Sequence, residues 1–283
     1  MKKNNLVVGF ALLLLLAAPL NAQILSRGDL FGPGAPPPMI GVELGLGSHQ
    51  QNGTFQAICK CTFPAASGLA FLGGLLFELP VSYEWTFGLG LKIDFKSYSS
   101  STTVNDTATV TNNNDNSVAS GSFNFQRNGS IKETFFTIAP FVRYEFFRNG
   151  PFLQVGPGIG ILIASNFTHT RVLNSTTITL TTHKVGSTLA DSTFTLSNVR
   201  FQNQTREEQL ESGKIANAGT TRISALLTAG WDIPVGDNAV IAPMISYDLP
   251  FTLVRPNSVG ANGADNWKIT SLYFSAGLKY KLE

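Results

Sequence analysis

The chain has 283 residues, of which only 13% are charged, against roughly 25% in ordinary globular domains. Its formal charge of +2 offers no basic field for nucleic acid. Two cysteines exclude a disulfide-built scaffold, and 43% hydrophobic residues are too many for a charged disordered chain.

Lys2 and Lys3 precede an apolar run from Leu6 to Leu16, Pro19 breaks it, and Leu20-Asn21-Ala22 ends on a small residue. This is the layout of a secretory signal over 1–22, cut after Ala22. A membrane anchor is the alternative, but the run is short against about 30 Å of hydrocarbon. Removing 1–22 leaves 18 basic residues facing 18 acidic ones. Residues 23–38 contain Phe31-Gly32-Pro33-Gly34 and Pro36-Pro37-Pro38 and read as an extended linker. The remainder, 39–283, reads as one domain. It holds no apolar stretch of about 18 residues, so further membrane contact must use strands.

From Met39 the rhythm is period two, the signature of a strand whose side chains alternate between faces. Ile40, Val42, Leu44 and Leu46 oppose Gly41, Glu43, Gly45 and Gly47. The segment 70–79 is weaker, because both faces are apolar until Glu78. In 85–96, Trp85, Phe87, Leu89, Leu91, Ile93 and Phe95 oppose Thr86, Gly88, Gly90, Lys92, Asp94 and Lys96. The pattern recurs in 133–146, 152–164, 221–233, 239–251 and 269–282, which predicts eight strands. Pro140, Pro157 and Pro243 fall on the apolar face.

The connections alternate. Residues 80–84, 147–151 and 234–238 are tight turns, while 49–69, 97–132, 165–220 and 252–268 are long. In an up-and-down meander all long loops then share one end. With the short turns at the bottom, Trp85, Tyr144, Phe146, Phe147, Trp231 and Tyr280 form a lower aromatic girdle. Phe95, Tyr98, Phe136, Tyr247, Phe251 and Trp267 form an upper one. Of residues 99–120, fifteen of twenty-two are Ser, Thr or Asn, too little apolar surface to offset the entropy of ordering them. The pieces 176–182 and 192–201 are strand-like: ladder extensions, or a ninth and tenth strand.

On the leader, the amphipathic strand Trp85–Lys96, the loop alternation and the alternating Leu278, Tyr280 and Leu282, the chain resembles the small bacterial outer-membrane β-barrels of the OmpA/OmpX type. It looks like the single-domain "outer membrane protein beta-barrel" family of Gram-negative bacteria. The resemblance implies an all-β, transmembrane, up-and-down antiparallel barrel of about eight strands. It implies short periplasmic turns, long extracellular loops, contact with outer-membrane lipid, and insertion by the barrel assembly machinery. The rival is a soluble lipocalin-like barrel with the apolar face inside.

The predicted inward set holds Glu43, Lys92, Asp94, Lys96, Arg143, Glu145, Arg222, Asp232, Asp248 and Lys279. In so narrow a lumen these read first as an ion-pair network and second as an ion path. His49, beside Ser48, together with His169 and His183 lie in or near long loops and read as loop histidines rather than members of a hydrolytic triad. Cys59-Lys60-Cys61 reads as a strained disulfide or an incidental pair, without the further ligands a metal wants. The sequons at Asn52, Asn105, Asn128 and Asn166 are expected by chance in loops of this composition. No catalytic, cofactor-binding or metal-binding residue is singled out. The expectation is a non-enzymatic surface protein whose loops meet an extracellular ligand or surface, with a passive pore and a rim hydrolase as alternatives.

Overall fold

The computed structural model describes residues 36–53, 55–56, 62–112, 114, 118–174, 177–182, 192–201, 205–215, 219–252 and 268–282. Among them are fifteen strands and no helix. In chain order these are β1 (Met39–Asn52), β2 (Phe55–Gln56), β3 (Thr62–Phe63), β4 (Ser67–Pro80) and β5 (Trp85–Asn112). Then come β6 (Val118–Glu145), β7 (Pro151–Leu173), β8 (Thr177–Thr182), β9 (Ser192–Ser197) and β10 (Val199–Phe201). The last five are β11 (Glu207–Gly213), β12 (Thr221–Trp231), β13 (Ile233–Val235), β14 (Ala239–Pro250) and β15 (Lys268–Lys281).

Eight of these close into a ring. β1 pairs with β4, then β5, β6, β7, β12, β14 and β15 follow, every neighbour antiparallel. β15 returns to β1, from Met39 opposite Lys281 to Asn52 opposite Lys268. These are the eight strands expected from period two. β8 and β9 pair only with each other among the described residues, and β10 adds to the edge of β5. Neither enters the ring, so the barrel has eight staves rather than ten.

The apolar face looks outward. Leu46 is 67% exposed and Leu44 60%, whereas Glu43 beside Leu44 is 1% exposed. A soluble barrel would reverse that, so the lipocalin-like arrangement is excluded. The lower girdle forms as expected: Trp85 lies 4.9 Å from Tyr144, Tyr144 5.4 Å from Phe146, and Phe147 6.1 Å from Trp231. In the upper girdle Phe95 meets Phe71 at 6.1 Å. Tyr98 does not belong there. It stands three residues beyond outward-facing Phe95, hence on the opposite face, and is buried inside. Trp267 lies outside the described residues.

Pro140 and Pro157 have a physical account in this register. The β6–β7 ladder runs to Ile138 opposite Ile159 and resumes at Val142 opposite Val155. The two prolines face each other across the gap. Each lacks a backbone donor, and opposing them confines the loss to one break in one seam.

The wall continues beyond the upper girdle. β5 and β6 stay paired from Trp85–Tyr144 to Thr111–Val118. β10 extends that sheet on one side and β11, paired with β7, on the other. Residues 99–112 and 118–120 were expected to lack fixed structure, so this is a difference. Seven apolar residues of the extension gather on one face. Val110 and Phe125 are fully buried, with Ala108, Phe123, Leu173, Val199 and Phe201 around them. A ladder also pairs the backbone groups that a free loop leaves to water.

Inside, close approach sets one glycine. A Cβ on Gly88 would lie 2.1 Å from the Phe141 ring, its cross-strand neighbour. Gly88→Ala should therefore cost about 1–3 kcal/mol by overpacking, read as a lower urea midpoint for barrel unfolding in lipid vesicles.

Candidate functional site

The inward faces of the eight staves bring the predicted charges together in three tiers. At the turn end, Arg143 is fully buried and donates to both oxygens of Glu78 at 3.0 and 3.1 Å. It also donates to Glu145 at 2.6 Å and to Asp232. Its guanidinium lies 3.8 Å from the Phe152 ring centre, a cation–π contact. Lys279 completes the tier, 3.0 Å from Glu78 and 2.8 Å from Asp232. Above it Lys92 pairs with Glu43 at 2.8 Å, and the Ser275 hydroxyl donates to Glu43 at 2.8 Å.

The third tier is the most crowded. Lys96 lies 3.1 Å from Asp94 and 3.7 Å from Asp248, and donates to the Ser271 hydroxyl at 2.5 Å. Arg222 pairs with Asp248 and lies 3.6 Å from Asp94. The Tyr273 hydroxyl donates to Asp94 at 2.5 Å. Burying this many charges is tolerable because each is paired. A cavity between the second and third tiers, bounded by Lys92, Asp94, Gln154, Asp248 and Tyr273, has about 30 Å³, room for a water and not a bore.

All ten predicted inward residues are paired. Sequence reasoning missed Glu78 and Glu133. Glu78 shares its parity with the buried Ala70, Leu72 and Leu76 of β4, while Phe71, Leu75 and Phe77 are exposed. That alternation was legible once Glu78 itself was given weight. Glu133 is buried two residues before the buried Phe135 and interacts with the Tyr98 hydroxyl.

Over the third tier sits an apolar cap of Phe63, Ala66, Tyr98, Ile131, Phe167, Ile215 and Ile269. Two histidines are built into it, where loop histidines were expected. His49 is buried, edge-on to Tyr98 at 5.3 Å. Its ring nitrogens meet no hydrogen-bond partner among the described residues, and Ser48 beside it points the other way. No nucleophile–base pair forms at His49 among the described residues. His169 is 1% exposed. It faces inward because a bulge between Thr134 and Phe135 of the β6–β7 ladder skips Ile163 and flips the parity of β7 above it. Its ring is edge-on to Phe63 at 5.5 Å and stacked on Phe167 at 6.2 Å, with Nε2 3.4 Å from the Arg127 guanidinium. Arg127 in turn pairs with Asp106. His169 lies well beyond the upper girdle. Burial, and secondarily the Arg127 charge, lower its pKa from 6.5 to about 4, so it is neutral at ordinary pH. His183, Cys59 and Cys61 lie outside the described residues.

A family model described as the outer membrane protein beta-barrel domain matches residues 22–254. The chain belongs to that family. It is an outer-membrane β-barrel protein, with short periplasmic turns and long extracellular connections. No curated protein matches it in sequence. Among solved structures, the neisserial surface protein A matches over 88% of this chain and 100% of its own, at 12% identity and a TM-score of 0.33. The attachment invasion locus protein of Yersinia pestis matches over 86% and 99%, at 9% identity and a TM-score of 0.30. The outer membrane protease of Escherichia coli matches over 92% and 99%, at 12% identity and a TM-score of 0.28. In the barrel frame, the three tiers occupy the membrane-embedded lumen, and the histidine cap seals its extracellular end.

Proposed function

We propose that this barrel is a non-enzymatic surface protein, a closed anchor whose extracellular sheet meets an external ligand or surface. Residues 1–22 serve as a cleaved export signal and 23–38 as a linker ahead of the barrel domain, 39–283. Insertion falls to the barrel assembly machinery, and outer-membrane lipid covers the apolar wall. One observation carries the anchor reading: paired charges cross the lumen in three tiers, and the cavity between the upper two has only about 30 Å³. A conducting pore needs a continuous water path, and a hydrolase needs a base next to a nucleophile. The extracellular sheet offers a face of a different kind. Ser101, Thr103, Asn105 and Thr107 of β5, with Ser122, Asn124 and Gln126 of β6, are exposed and uncharged.

The test is electrical. Purified full-length protein in planar bilayers should show no stepwise current at neutral pH. Regular conductance steps would reject the anchor and leave the passive pore.

A further inference from the structure

We infer that the periplasmic mouth of the barrel binds a small zwitterion of amino-acid or dipeptide size, its ammonium seated on Glu145 and its carboxylate on Arg148 and Lys281. The mouth holds a partly enclosed cavity of about 260 Å³. Its lining includes Thr86, Glu145, Arg148, Asp232 and Lys281, with Pro36 and Pro37.

The charges in and around this cavity do not balance locally. The tier beneath it holds three carboxylates, Glu78, Glu145 and Asp232, against two cations, Arg143 and Lys279. Glu78 and Asp232 are bonded through both oxygens. Glu145 is bonded through Oε1 to Arg143. Its Oε2 makes no hydrogen bond among the described residues, and its side chain is 13% exposed, enough to meet a ligand in the cavity. It is the surplus negative charge of the tier.

Two cations, Arg148 and Lys281, line the rim of the cavity, while the acids of the neighbouring turns, Glu84 and Asp237, are not part of its lining. Arg148 lies over the Tyr83 ring at 5.7 Å, and Lys281 donates to the Asp237 carbonyl at 2.6 Å. Neither has a carboxylate partner among the described residues. An acid at the floor and two cations at the rim match a molecule with an ammonium at one end and a carboxylate at the other, through charge-assisted hydrogen bonds. Partial enclosure strengthens each of these relative to an exposed pair. The site is at the opposite end of the barrel from the extracellular sheet, so its failure would leave the surface-protein reading untouched.

The probe is alanyl-alanine, titrated into the full-length protein in detergent micelles and followed by calorimetry and by amide shifts of residues 145–149. Saturable one-to-one binding is expected. Glu145→Gln and Arg148→Gln should each weaken it by about tenfold or more, and both variants should keep the heat-dependent gel migration of a folded barrel. N-acetylated alanyl-alanine, which has no ammonium, should not bind the wild type, a control independent of any variant's folding. Absence of saturation overturns the proposal, and so does binding that survives acetylation or Glu145→Gln.

Discussion

Arg143→Leu should destabilise the barrel by about 3–5 kcal/mol, the cost of leaving buried charges without their partner. The side chain it removes is fully buried and joins three carboxylates at once. After the change Glu78, Glu145 and Asp232 face Lys279 alone, with Glu78 and Asp232 almost wholly out of contact with water. Glu78→Gln disturbs the same cluster, because Glu78 accepts from both Arg143 and Lys279, and the amide keeps one of the two acceptor oxygens. It nevertheless leaves two carboxylates against two cations, so it should cost clearly less than Arg143→Leu. Glu145→Gln removes the surplus charge and should change stability by no more than about 1 kcal/mol. Urea unfolding of the protein refolded into lipid vesicles gives all three values on one scale. An Arg143 loss no larger than that of Glu78 would mean that local bonds, and not the charge count, govern this tier.

Most of the wall was legible from alternation alone. Leu44 against Glu43 and Phe95 against Asp94 assign the two faces, and every strand expected from such pairs is a stave of the ring. Period two also gathered the ten lumen charges without any knowledge of which would touch. The misses share a cause. Counting Ser, Thr and Asn in 99–120 averages over both faces and hides Val110 and Ala108, which lie two residues apart on one of them. Counting aromatics near a rim placed Tyr98 in a girdle, although its distance from Phe95 already put it inside. His169 could not be assigned by parity, because the bulge at Ile163 shifts the register of everything beyond it, and a bulge of this kind leaves no composition signal in β7. Long-range partners were equally invisible. Phe63 and Ile215 meet over the third tier from segments far apart in the chain, and only the closed ring brings them together.

The cap built on His169 should loosen in acid while the wall beneath it holds. Its imidazole is neutral in the closed cap, with a pKa lowered from 6.5 to about 4 by burial first and by Arg127 second. Released to solvent it regains its ordinary value. Between pH 6.5 and 4 the open form therefore binds a proton that the closed form refuses. The closed cap is at full stability above pH 6.5, loses stability as the pH falls, and has lost all of this contribution once the pH is below about 4. At about 1.4 kcal/mol per pKa unit the loss approaches about 3 kcal/mol. The charges around the ring sharpen the effect: Arg127 on β6 repels a protonated imidazole, and its partner Asp106 on β5 is committed to it. Glu211 is the ladder partner of His169 on β11. Hydrogen exchange, corrected for intrinsic rates, should show protection at 62–66 and 207–215 falling by about 100-fold from pH 7 to pH 4. Protection in the staves between the girdles should barely move. His169→Phe keeps a ring against Phe63 and Phe167 but cannot take a proton, so its protection should fall clearly less than that of the wild type over the same range, the remaining fall belonging to His49 in the same cap. Flat protection in the wild-type protein, or a His169→Phe variant that opens in acid as fully as the wild type, would place the trigger elsewhere.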